Sequence, residues 1–127
     1  MGTIKKLEDL DVWQEARKLC NGIYEITKHY PKEEKFNLVK HLRESGRGVM
    51  GNIAEGFGRY FYKSSMQFYD IARGCLHEVK SDIYLSYDQK YINKKIFEKF
   101  LDQIELINVK LGGLIKQSKN QLNAKNL

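Results

Sequence analysis

One proline, Pro31, interrupts 127 residues, and that scarcity constrains the fold more than any other feature. Proline breaks helix interiors and punctuates the turns of many-stranded proteins, so a chain with a single one favours long helices. The apolar residues agree, recurring three and four positions apart in four successive segments, the spacing of one helix face. The first segment runs from about Asp9 to His29 through Trp13, Ala16, Cys20, Ile23 and Thr27. Asp9 or Asp11 is placed to cap its start. Tyr30-Pro31 ends it, because the residue before proline is pushed out of the helical region. The second runs from about Lys32 to Glu55, with Glu33 and Glu34 in the first turn and Phe36, Val39, Leu42, Val49, Ile53 and Phe57 in line. Gly56 and Gly58 supply its stop. The third, about Lys63 to Tyr87, aligns Met66, Tyr69, Ala72, Leu76, Val79 and Ile83, and the fourth, about Asn93 to Ser118, aligns Phe97, Phe100, Ile104, Ile107, Leu111 and Leu114.

Four helices of similar length joined by short links predict an all-α, antiparallel up-down-up-down four-helix bundle. Residues 1–127 form one domain, with polar, frayed ends expected at about 1–7 and 119–127. Folding the hairpins about their midpoints brings Trp13 level with Val49, Cys20 with Leu42, Ile23 with Val39, Ile83 with Phe100, and Leu76 with Ile107. Apolar residues meet apolar residues at every level.

The same construction brings Gly46 and Gly48 level with Arg73 and Gly74. Glycine inside a helix costs about 1 kcal/mol relative to alanine, and the second helix holds Gly46, Gly48 and Gly51. A close approach of the second and third helices accounts for them; a surface kept smooth for a partner is the other reading. Arg43 comes level with Glu78 and Glu44 with His77, as interhelical pairs. Glu55 sits in the last turn of its helix, where a carboxylate opposes the macrodipole, so Arg59 or Arg73 is expected beside it. Asn52 borders the apolar stripe and needs a hydrogen-bond partner if buried. Lys40, Arg43 and Arg47 share one helix face, with Arg59 beyond the helix end. They are the candidate phosphate-contacting ridge, and a solvated basic face would show the same spacing.

The net charge of +6 is uneven, with six basic against four acidic residues in 31–60 and seven against three in 91–127. Such a surplus suits a polyanionic partner. Cys20 and Cys75 lie in apolar stretches without a close-spaced mate, which fits reduced, buried thiols. No Glu-x-x-His pair, zinc spacing, phosphate-binding glycine loop or nucleophile elbow is present. No catalytic residue, metal or cofactor is therefore expected. Arg73-x-x-x-His77 is the nearest approach to catalysis, since it resembles the metal-independent site of helical ribonucleases of the HEPN type with a shorter spacer. No apolar run reaches membrane-span length and no signal-peptide pattern occurs, so a cytoplasmic protein without membrane contact is expected.

Several segments together resemble the 23S rRNA-intervening-sequence protein family: Leu10-Asp-Val-Trp-Gln14, Ile23-Tyr24 with Thr27, Tyr30-Pro31 with Glu34, and Leu42-Arg43. They continue with Asn52-Ile-Ala-Glu-Gly-Phe-Gly-Arg59, then Ile71-Ala-Arg-Gly74 followed by Leu76 and Glu78. The chain departs from the family pattern at His41-Leu-Arg-Glu-Ser45, where an arginine gives way to Glu44, and at Gly48-Val-Met-Gly51. The resemblance implies a bacterial up-down bundle assembling into a ring, a homopentamer. It makes Asn52, Glu55, Gly56, Arg73, Gly74 and Glu78 a structural or interface motif. A related branch, the accessory proteins of diversity-generating retroelements, implies binding of nucleic acid and of a reverse transcriptase. A subunit interface would also cover Tyr60, Phe61, Tyr62 and Tyr69. The reading is a non-enzymatic, homo-oligomeric bundle that binds RNA or DNA through a basic surface. A structural oligomer or protein-partner adaptor without nucleic acid is the alternative, and a HEPN-like ribonuclease stands behind it.

Overall fold

The computed structural model describes residues 4–125. Four helices carry the chain: α1 (Asp11–Thr27), α2 (Leu38–Phe57), α3 (Tyr62–Asp88) and α4 (Lys94–Lys125). Short 3-10 turns at Leu7–Asp9 and Lys32–Glu34 precede α1 and α2. Among the described residues there is no strand.

The helices close a circuit in which each packs on its neighbours in sequence and α4 returns to α1. Their directions follow from contacts at both ends. On α2 and α3, His41 meets Asp82, Ser45 meets Glu78, Gly48 meets Cys75 and Gly56 meets Tyr69, so one helix ascends as the other descends. Phe97 of α4 stacks on Tyr87 and meets Tyr84 edge-on, while Asp11 of α1 pairs with Lys110 of α4. The bundle is antiparallel throughout. Leu19, Ile23, Leu42, Val49, Ile53, Leu76, Val79, Ile83, Ile107 and Leu111 are completely enclosed on its axis. Each enclosed side chain of this kind contributes about 1.5–3 kcal/mol, which is what holds the four stripes together.

The pairing of α1 with α2 is displaced from the sequence expectation. Ile23 and Cys20 face Gly46, and Thr27 faces Arg43, rather than Ile23 facing Val39 and Cys20 facing Leu42. The displacement is about one to two helical turns. Its cause is the connection: α1 stops at Thr27, the segment after Pro31 forms a 3-10 turn, and α2 begins at Leu38 instead of near Lys32. Phe36 consequently falls in the link and is 76% exposed, not part of the stripe. Neither aspartate caps α1, whose N-cap is Leu10 without a side-chain bond. At α4 the Asn93 carboxamide oxygen accepts from the Ile96 N–H at 2.9 Å. That bond satisfies one of the donors a helix start leaves open.

Helix ends also differ from expectation. Gly58 closes α2 in the right-handed region (φ −79°), and Gly56 lies inside the helix, so no left-handed glycine stops it. The left-handed residue is Lys90 (φ 65°), just past α3. Its N–H donates to Tyr87 O and the Tyr91 N–H to Ser86 O, both at 2.9 Å. This is a Schellman closure made without glycine. It delivers Tyr91 onto Tyr30, with ring centroids 5.0 Å apart, and the Tyr91 hydroxyl donates to Glu34 Oε2 at 2.9 Å. The α1–α2 and α3–α4 links are thereby tied to each other. Helix α4 continues past the expected end at Ser118 as far as Lys125, because Ser118 is buried and Leu122 packs beside the α2–α3 turn.

The glycines of α2 divide sharply. A Cβ at Gly56 would lie 2.6 Å from the buried Tyr69 ring and 3.0 Å from Ser65 O, while one at Gly51 would meet nothing within 4 Å. Overpacking of this kind costs about 1–3 kcal/mol, against a helix-propensity gain of about 1 kcal/mol. Gly56→Ala should therefore lower stability, by up to about 2 kcal/mol, and Gly51→Ala should raise it by about 0.5–1 kcal/mol. Urea unfolding of the two variants checks this pair of opposite signs.

Candidate nucleic-acid interface

The four cations predicted as a ridge occupy different settings. Arg43 is half-buried: its Nε donates to Thr27 Oγ1 at 2.9 Å and its guanidinium lies 4.6 Å from the Tyr24 ring centroid. It joins α2 to α1 rather than pairing with Glu78. Lys40 reaches Glu44 at 3.6 Å along the same helix. Arg47 is exposed and, among the described residues, has no carboxylate in ion-pair range. Arg59 sits at the opposite end of α2, bonded to Glu55 and 4.5 Å from the Phe68 ring centroid. The structure places Lys40, Arg43 and Arg47 along one stretch of α2 and sets Arg59 apart.

The motif residues line the α2–α3 seam and its outer surface. Glu55 has the cation its position needs, and that cation is Arg59; Arg73 pairs with Asp70 at 3.0 Å. Asn52 Nδ2 donates to Gly48 O at 2.8 Å, within its own helix. Gly56 lies under Tyr69, whereas a Cβ at Gly74 would meet nothing. Glu78 accepts from Ser45 Oγ at 3.2 Å. Glu44 and His77, expected to pair, do not: Glu44 holds Lys40, and His77 Nδ1 lies 2.9 Å from Arg73 O. Arg73 and His77 are thus each engaged within α3. Both thiols are free, and burial pushes the Cys20 and Cys75 pKa values up, so neither supplies a thiolate near neutral pH. Among the described residues no group of three or more His, Cys, Asp or Glu is arranged to hold a metal. No helix among the described residues is long and apolar enough to cross a membrane.

A second cationic region escaped the helix-face search because it is assembled from two distant parts of the sequence. No Asp or Glu occurs between Glu55 and Asp70, nor anywhere after Glu105. The fold brings these two carboxylate-free stretches to one end of the bundle, where Leu122 meets the Tyr60–Ser64 segment and Gln117 and Gln121 lie beside Arg59. Lys63, Lys116 and Lys119 are exposed there, and among the described residues none pairs with a carboxylate. The signal available in sequence was the absence of acids, which a count of bases per segment dilutes.

The polar contact that crosses α2 to α3 at the other end centres on His41. Its Nδ1 bonds Asp82 Oδ2, and its Nε2 is 3.7 Å from Glu78 Oε2. The Asp82 hydrogen bond, helped by the charges of Asp82, Glu78 and Glu44 and opposed by slight burial, raises the imidazole pKa above its ordinary 6.5. A folded-state value above the unfolded one means the contribution is complete below about pH 6.5 and is lost as pH rises through the folded value. The urea midpoint should therefore fall between about pH 6 and 9 in the parent chain, and His41→Gln should flatten that slope. Equal slopes in the two proteins would contradict the assignment.

A family model described as 23S rRNA-intervening sequence protein matches residues 8–113, which span all of α1, α2 and α3 and most of α4. Among solved structures, the chain is similar to a protein of unknown function from the S23 ribosomal protein family of Bacteroides thetaiotaomicron VPI-5482. The TM-score is 0.76 at 23% identity, over 83% of this chain and 98% of that one. That likeness shows the shared fold. Comparison with curated protein sequences finds no match. With four helices in place and the family's pattern spanning them, the chain belongs to the 23S rRNA-intervening sequence protein family.

Proposed function

We propose that this protein is a non-enzymatic, ring-forming helical bundle that holds RNA or DNA by its backbone phosphates. The carrying observation is that two stretches without carboxylates, 56–69 and 106–125, come together at one end of the bundle, where Lys63, Lys116 and Lys119 stand exposed and, among the described residues, none pairs with a carboxylate. Cations neutralised inside a protein have little left to offer a phosphate, whereas unpaired surface lysines release counterions when they bind one. Arg47, farther along the outside of α2, adds an exposed cation, while Lys40, paired with Glu44, and Arg43, turned toward α1, contribute less.

Self-association is supported by a separate observation. Exposed apolar side chains lie on two different helices, Ile71 and Leu85 on α3 and Leu106 and Val109 on α4. A two-fold dimer uses the same patch on both partners, but unlike apolar surfaces on two helices suit head-to-tail contact, which closes into a ring where the rotation between neighbours permits. Five subunits is the number this proposal takes from the family resemblance.

Anisotropy titrations with labelled RNA and DNA across a salt series test the reading. Affinity should fall steeply with salt, and Lys116→Glu with Lys119→Glu should flatten the log–log slope by roughly 1–2. Light scattering on the same samples should give one discrete assembly larger than a monomer. No measurable affinity at low salt would end the nucleic-acid proposal and leave a structural oligomer or adaptor.

A further inference from the structure

The link between α2 and α3 breaks the usual rules for a turn. Turns favour Gly, Pro, Asn, Asp and Ser, but here Gly58-Arg59 is followed by Tyr60 and Phe61. These two side chains are 85% and 70% exposed, the largest values among aromatic residues apart from Phe36. They touch only edgewise, with centroids 5.0 Å apart and planes at 83°, so ring faces stay open to solvent. Phe61 also occupies the N-cap of α3 and makes no side-chain bond there. Ser, Thr, Asp or Asn at that position would stabilise the helix. A position that gives up helix stability and exposes a large apolar ring is suited to contact with something outside the chain.

The surroundings narrow the class of partner. Tyr60 and Phe61 wall a groove of about 400 Å³, whose other side is formed by Gln67 and by Leu122 of α4. Lys63 lines the same groove, and Arg59 lines the adjoining pocket, with Tyr62 between the two. No carboxylate occurs in either chain stretch that builds it. Open ring faces flanked by a lysine and an amide, with no acid in the groove lining, match the arrangement that grips single-stranded nucleic acid. There, bases stack on aromatic side chains and the cations follow the backbone. A duplex keeps its bases stacked on one another and offers this surface only its phosphates.

We infer that Tyr60 and Phe61 form a stacking platform for unpaired bases, which makes single-stranded RNA or DNA the preferred ligand. The inference rests on the nucleic-acid reading above and adds to it the strandedness of the ligand and the residues that sense it.

The test measures binding of the full chain to labelled oligo(U), oligo(dT) and a hairpin duplex. The parent protein should bind both single strands more tightly than the duplex. Tyr60→Ala and Phe61→Ala should each weaken single-strand binding by about 5- to 100-fold while leaving duplex affinity and the salt slope unchanged. Phe61→Ser should raise the melting temperature through its better N-cap and still lose single-strand affinity, and Phe61→Trp should restore affinity. Alanine variants that bind single strands like the parent would overturn the platform while leaving the phosphate-binding proposal standing. So would variants whose assembly mass changes in light scattering, which would assign the rings to a subunit contact. So would a parent protein that partitions onto anionic vesicles through these rings, which would assign them to a lipid surface. A parent chain with no affinity for any of the three probes would remove both proposals together.

Discussion

How near α3 can come to α2 is decided at Gly48 and Gly56. A Cβ on Gly48 would stand 2.8 Å from the Cys75 sulfur, and one on Gly56 would enter the Tyr69 ring. With hydrogens in those places the two backbones settle close together, and the rest of the arrangement follows. Their separation lets Ser45 reach Glu78 and His41 reach Asp82 across the seam. Gly46, turned the other way, admits Ile23 of α1 by the same device. The second helix is thus the element on which two neighbours are seated. Its low intrinsic propensity is offset by packing that a better helix former would obstruct.

The fold was legible because it depends on periodicity. Four apolar stripes and one proline indicate four long helices in alternating directions, and the buried residues lie where the stripes put them. What the stripes leave open is register, since sliding one helix along another by whole turns still brings apolar residues together. The α1–α2 pairing therefore followed the true length of the Lys28–Asn37 link, which a hairpin drawn about Pro31 makes too short. Arg43 illustrates the result: its partner is set by which flank of α2 faces α1, and it found Thr27 and Tyr24 instead of Glu78. The candidate site was less legible than the fold. A ridge along one helix is visible in sequence, but an end face assembled from residues near 60 and near 120 is visible only after folding.

Charge has a different geography from packing. Most ion pairs join residues three or four apart on one helix, such as Glu15 with Lys18, Glu25 with Lys28 and Lys94 with Glu98. Exposed pairs of this kind contribute a few tenths of a kcal/mol each and position no helix against another. The bundle does not depend on its surface charges for its shape. They remain available to distinguish one surface from another, and the residues of the α2–α3 turn and the last turns of α4 include no acid.

The tie between Asp11 and Lys110 joins positions near opposite ends of the chain. The α1–α2, α2–α3 and α3–α4 seams each connect consecutive helices, so most of the core assembles through short loops, which is the topology of fast folders. The α4–α1 seam must wait until α4 is made. During synthesis α1, α2 and α3 can pack in the order they emerge, leaving an apolar flank of α1 uncovered until α4 is released. In a growing chain that flank is the surface most open to premature contact with another nascent copy. Helix α4 is therefore the one that ends the period of vulnerability.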